Sequence, residues 1–322
     1  MTQARIAGAQ YGTEAGMQVG LLAPQGWKGE YDGWQAADAW ARTVELAKQA
    51  EALGFESLWV FDHFHTVPTP TDEITFESFS VLSALAMATE RVRLGHMVVC
   101  TGFRNPALTA KLSSTIDVIS GGRFELGIGA GWKEEEWRAY GYGFPTLGER
   151  IAALGDHLEV IGAMFQSGRA SYEGRFAHVR RAINVPKGLQ EPRIPIIVGG
   201  NGERVIAGYA IRYADELNWV FLSADECARR MVSVRARCEA EGRDPATLRF
   251  SLYVRDEEIR EAGQARVDVL ARLLEAGLDR IICFPARWNP TSEGQERFAE
   301  DCRAAGIELA AAAAPAGVEI GA

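Results

Sequence analysis

A chain of 322 residues that is 47% hydrophobic and 24% charged can bury a substantial core as one large α/β domain or two average ones. Its net charge of −9 disfavours nonspecific binding to nucleic acid or to an acidic membrane surface. No apolar run reaches the roughly 20 residues that span a bilayer. The polar, Gly/Ala-rich start from Met1 to Gly16 carries no hydrophobic signal core, so it reads as a flexible arm and the chain as cytoplasmic.

From there strands and helices alternate. Met17–Ala23 is an apolar strand, and helical spacing over Trp40–Leu53 stops at Gly54. Ser57–Phe61 is a second strand, which ends abruptly in Asp62-His63. Phe76–Thr89 is a helix and Val92–Cys100 a third strand. Pro106 opens a helix that Ser120-Gly121-Gly122 closes, and Phe124–Gly129 is strand four. A long helix covers Leu147–Phe165. Ser171–Val185 then breaks the rhythm, with Tyr172–Phe176 as a turn between short strands, so residues 168–190 read as an insertion. Four further strand–helix pairs follow: Ile194–Val198 with Glu203–Tyr213, Glu216–Phe221 with Ala224–Glu241, Arg249–Val254 with Gln264–Ala276, and Arg280–Phe284 with Glu293–Ala305. Residues 310–322 read as a disordered tail.

Eight strands, each followed by a helix, point to a single (β/α)8 barrel over residues 17–309. A doubly wound sheet would want its glycine fingerprint after strand one, where Pro24-Gln-Gly-Trp27 stands instead. The cysteines, Cys100, Cys227, Cys238, Cys283 and Cys302, form no CxxC pair, and the five histidines are scattered. Reduced thiols and no metal site are therefore expected.

In such a barrel the chemistry sits at the carboxyl ends of the strands. Four segments stand there. Asp62-His63 joins a group that exchanges protons near neutral pH to an acid that either orients it or caps the next segment; a purely structural polar pair is the even alternative. His96–Thr101 reads as core, and Arg104 beyond it as a solvated arginine, with an anion clamp as the other reading. Gly127, Gly129 and Gly131 share one face, which allows close approach of a ligand or of neighbouring protein, and Glu134–Glu136 make an acidic first helical turn. Gly199-Gly200-Asn201-Gly202-Glu203 runs from a strand into a helix, the outline of a phosphate cradle without the lysine of a P-loop.

Three phrases together resemble the luciferase-like monooxygenase superfamily, in its coenzyme F420 (deazaflavin) oxidoreductase branch. They are Ala50–Phe64, Ser120–Trp132 and Ile194–Glu203, and Arg212–Asp215 also fits. The resemblance covers Met17 to Gly306. It implies a luciferase-like TIM barrel with the cofactor's tricyclic ring in the barrel mouth and His63 near the reacting carbon. Asp62 would orient His63 or touch the ring. It also implies a non-prolyl cis peptide between Met97 and Val98 behind the ring. Cofactor contacts fall on Asp62, His63, Met97, Val98, Cys100, Gly129, Gly131 and Gly199, with the phosphate on Gly200, Asn201, Gly202 and Glu203. Dehydrogenases of this branch carry a glutamate where Trp132 stands, so a second acid is absent unless Glu134 or Glu135 reaches in. Trp27, Phe64 and Trp132 are candidate substrate walls, each of which reads as core when taken alone. Lys133, Arg175, Arg180 and Arg181 are candidate cations for the cofactor's acidic tail. The function implied is hydride transfer between the deazaflavin and a small organic molecule, in a homodimer. The alternatives are an O₂-using monooxygenase with reduced flavin mononucleotide (FMN), and a barrel that only binds flavin.

Overall fold

The computed structural model describes residues 16–310, so the arm and the tail lie, but for Gly16 and Ala310, outside the described residues. Its elements run β1 (Gln18–Leu22), α1 (Ala36–Leu53), β2 (Ser57–Val60), α2 (Ser78–Ala88), β3 (Arg93–His96), β4 (Val99–Cys100), α3 (Pro106–Ile119), β5 (Phe124–Gly129), α4 (Glu134–Ala139) and α5 (Leu147–Phe165). They continue with β6 (Arg169–Glu173), β7 (His178–Ile183), β8 (Ile196–Gly199), α6 (Val205–Tyr213), β9 (Glu216–Val220), α7 (Ala224–Ala240), β10 (Arg249–Tyr253), α8 (Gln264–Glu275), β11 (Arg280–Cys283) and α9 (Ser292–Ala304).

Nine strands pair in the order β3-β2-β1-β11-β10-β9-β8-β5-β4, and the pairing of β3 with β5 closes the barrel. The third strand expected from the sequence is not continuous. It breaks into β3 and β4 at Met97–Val98, whose peptide bond is cis, so nine strands fill eight barrel positions. α1 starts four residues earlier than the apolar spacing suggested, because Gln35 holds the entry extended and Ala36 onward is free to coil. It ends where Gly54 takes φ 92°, a conformation glycine adopts without a Cβ penalty. α4 extends the acidic turn expected at residues 134–136 into a short helix. β6 and β7 form an antiparallel hairpin beside α5.

Period-two alternation sorts the strand residues into two sets. Val19, Leu21, Leu58, Val60, Leu94, Leu126 and Ile128 face the helices in the main core. Arg280, Glu125, Glu216 and Trp59 fill the amino-terminal half of the interior. Arg280 bonds Glu125 at 2.8 Å, Glu216 at 3.0 Å and Glu56 at 2.9 Å, and its guanidinium lies 5.1 Å from the Trp59 ring centre. Trp59 fits because Gly20 and Gly95 lack side chains: a Cβ on Gly95 would come within 2.4 Å of the indole. Above it, Leu22, Phe61, Ile197, Tyr253, Ile282 and Phe284 form an apolar layer under the mouth.

Candidate active site

β2 delivers Phe61 into the barrel, and His63, two residues on, reaches the mouth. The imidazole lies flat on the indole of Trp27, with ring centres 4.1 Å apart and planes 2° apart, and Trp132 meets it edge-on at 5.9 Å. Its Nδ1 is 2.6 Å from Oε2 of Glu136, whose Oε1 accepts from the Phe64 amide at 2.5 Å. The Glu136 side chain is wholly buried. Burial alone would push its carboxyl up, but the bond and charge of His63 and the Phe64 amide outweigh that and hold it below the ordinary value. The acid that reaches in is therefore Glu136, from α4, and not Glu134 or Glu135. The signal in the sequence was faint: in a run of three glutamates, only the one beside Trp137 lies in phase with the buried face.

Asp62 does not orient His63. Its carboxylate accepts from the Cys100 amide at 2.9 Å, the Ser78 hydroxyl at 2.9 Å and Arg104 at 2.7 Å. It thereby ties β2 to α2 and to the end of β4. Arg104 is accordingly no solvated arginine. It bridges Asp62 and Glu77, at 2.9 Å to the latter, and lies over the Phe79 ring, because a carboxylate buried at a strand end needs a charged partner. Burial pushes the neighbouring Cys100 thiol up to about 12, so it stays protonated at neutral pH.

The glycines at the ends of β5 and β8 make room for protein. A Cβ on Gly127 would meet the His96 carbonyl at 1.9 Å, and one on Gly129 or Gly199 would meet Val98 at 2.7 or 2.9 Å. Gly131, at φ 75°, backs onto Cys100 and Trp137. Close approach at these positions is thus claimed by neighbouring side chains and backbone, while Met97 packs with the upper layer. In the β8–α6 turn, Gly200 takes φ 138° and donates its amide to the Asn218 carbonyl at 2.9 Å. Asn201 brackets Val220 through both ends of its amide, 2.9 Å each, and Glu203 pairs with Arg230 at 3.3 Å. The backbone N–H groups of Gly202, Glu203 and Arg204 have no acceptor among the described residues. They precede α6, which begins at Val205 and not at Glu203.

The three expected walls separate. Trp27 is buried under His63, and Trp132, 60% exposed, stands at the rim. Phe64 turns instead into an aromatic cluster with Phe103 and Tyr140, at 4.7 and 4.5 Å, because Glu136 anchors its amide on that side. Of the candidate cations, Lys133 binds the Pro68 carbonyl at 3.0 Å, Arg175 lies over Phe176, and Arg180 and Arg181 are exposed on β7. A polar cluster not anticipated from the sequence also stands against Trp27. Lys28 lies 4.9 Å from the Trp27 ring centre and 3.4 Å from Asp256, which also binds Arg287 and the Tyr253 hydroxyl. Burial lowers the pKa of Lys28. Among the described residues no three His, Cys, Asp or Glu side chains are grouped to hold a metal ion, and no helix is long and apolar enough to cross a membrane.

The family model described as luciferase-like monooxygenase matches residues 17–301. The F420-dependent glucose-6-phosphate dehydrogenase of Amycolatopsis mediterranei is 31% identical over 173 residues, which is 53% of this chain. The chain spans about half the length of that relative, 51%. The pyrimidine monooxygenase RutA of Stutzerimonas stutzeri is 28% identical over 256 residues, 75% of this chain and 69% of its own. An F420-dependent secondary alcohol dehydrogenase, solved with an F420-acetone adduct, superposes with a TM-score of 0.75 over 90% of this chain and 99% of its own, at 18% identity.

Proposed function

The chain belongs to the luciferase-like monooxygenase family, and from that premise we propose that it is an F420-dependent oxidoreductase, moving a hydride between the deazaflavin and a small organic substrate with His63 as proton donor or acceptor. The observation that carries this reading is the placement of His63: an ionisable ring clamped between Trp27 and a buried carboxylate at the carboxyl end of a barrel strand. The F420 dependence named for the Amycolatopsis relative supports the choice of cofactor.

The residues present fit such a group. Three unpartnered amides ahead of a nine-residue helix suit a phosphate, because aligned N–H groups and the helix dipole both favour negative charge. Gly200, Asn201, Gly202 and Glu203 would hold it, chiefly through backbone. Met97 and Val98 would back the ring and His63 would face it, while Asp62, Cys100, Gly129, Gly131 and Gly199, engaged with neighbouring protein, would shape the wall behind it. When bound, the deazaflavin supplies or accepts the hydride. The protein orients the substrate against Trp132, keeps the site dry and moves a proton at the His63 ring. Trp132 suits an apolar or aromatic substrate face.

Titrating the protein with F420 and with FMN, each oxidised and reduced, and following fluorescence, tests the assignment. Tight binding of the deazaflavin alone is expected. Preference for reduced FMN, followed by oxygen uptake, would move the chain to the monooxygenases of its family. We also propose a homodimer formed through barrel helices. Met87 on α2 and Leu108, Val118 and Ile119 on α3 are exposed apolar residues that such a contact would cover. A monomer by light scattering at micromolar concentration would contradict it.

A further inference from the structure

Both oxygens of Glu136 are engaged: Oε1 accepts from the Phe64 amide and Oε2 faces His63 Nδ1 at 2.6 Å. An ionised carboxylate only accepts hydrogen bonds, so Nδ1 carries the hydrogen. A neutral imidazole then keeps its free lone pair on Nε2, and the ring's hydrogen bond among the described residues is the one at Nδ1. The other charges near the ring are already matched: Asp62 by Arg104, and Lys28, beyond Trp27, by Asp256. His65 acts on Glu136 through space alone, and the Cys100 thiol is neutral. Glu136 is the charged group bonded to the imidazole itself.

We propose that Glu136 is the positioning residue of this site: it locks His63 in the Nδ1–H tautomer and so makes Nε2 the atom that exchanges a proton with the substrate. The tautomer follows from the geometry; the proton's other owner rests on the hydride-transfer reading. In the oxidative direction, a substrate H–C–X–H, with X oxygen or nitrogen, would give up its carbon-bound hydrogen with the electron pair as the hydride that a bound deazaflavin accepts. It loses the X-bound proton to Nε2, and the X–H electrons become the C=X bond. His63 is then an imidazolium between the substrate and the Glu136 carboxylate, which offsets its charge. In the reductive direction the Nε2 proton returns to X.

This differs testably from a merely structural role for Glu136. In Glu136→Gln the amide oxygen can still serve the Phe64 N–H, which keeps the loop anchored. The amide NH₂ then faces Nδ1 and donates to it, forcing the proton onto Nε2. ¹⁵N spectra of histidine-labelled protein without ligand should show Nδ1–H in the wild type and Nε2–H in the variant. The variant should bind F420 within about threefold of wild type while kcat falls about 10²–10⁴-fold, the range for losing a correctly poised base. An Nε2–H tautomer in the wild type, the same tautomer in both proteins, or a variant with kcat within threefold of wild type would overturn the proposal. Should the variant not fold, the wild-type spectrum alone decides. Failure of the wild type to bind F420 would overturn the hydride-transfer reading and leave the tautomer result standing.

Discussion

His63 and Asp62 are neighbours in the chain and members of different networks. Strand alternation turns one toward Trp27 and Glu136 and the other toward Ser78, Cys100 and Arg104. Their substitutions should therefore read out differently. His63→Ala should lower turnover about 10²–10⁴-fold with F420 still bound, as measured by steady-state kinetics beside fluorescence titration. Arg104→Ala should act on the fold, because it leaves the buried Asp62 carboxylate with neutral hydrogen-bond donors only and no charged partner. A loss of about 3–5 kcal/mol in urea unfolding is expected. The Asp62-His63 pair was legible in the sequence because an apolar strand ending in two polar residues marks a barrel mouth. Its division of labour was not. Chain adjacency suggested that Asp62 serves His63, whereas the partner, Glu136, lies 73 residues away on a helix too short to show an apolar period.

At the scale of elements, the barrel strands were readable because most are short runs rich in apolar residues that end at a turn signal, even where Glu125, Glu216 and Arg280 interrupt them. The break between β3 and β4 falls at the Met97–Val98 cis peptide that the family resemblance implied, but nothing in the local propensity of Val92–Cys100 marks where Val98 enters the interior. What marks it is three glycines on two other strands: Gly127 and Gly129 of β5 and Gly199 of β8 leave the space that the His96 carbonyl and Val98 occupy. Read one segment at a time, Gly127 and Gly129 allowed either a ligand or neighbouring protein, and the structure gives the place to protein. Their complementarity predicts a paired result. Gly129→Ala places a methyl 2.7 Å from a Val98 methyl and should cost about 1–3 kcal/mol by overpacking. Val98→Ala in the same chain should recover much of it. Melting temperatures of the two single variants and the double variant measure that coupling.

Across the whole molecule, buried ionisable groups set the dependence on pH. His157 is held down to about 4 by burial, and His96, enclosed by Phe79 and Phe124, is shifted the same way. Between about 4 and the free value of 6.5 the unfolded chain binds protons that the folded chain refuses. Stability is therefore full above pH 6.5 and falls as pH drops toward 4, by about 1.4 kcal/mol per unit of pKa difference for each histidine. Urea unfolding across that window should show the slope, and His157→Gln should flatten it. Lower still lies Glu125. Burial opposes its charge, but Arg280 and Arg93 hold it at about 2, so its contribution is lost as pH falls from about 4.5 toward 2. That network also shapes traffic. Arg280, its glutamates and Trp59 stopper the amino-terminal end, and the barrel is a vial with one neck. Whatever lies deepest goes in first and comes out last. In the arrangement proposed above, with the deazaflavin ring against Val98 and the substrate over it by Trp132, binding would be ordered, and saturating substrate should slow the release of F420 in stopped-flow displacement.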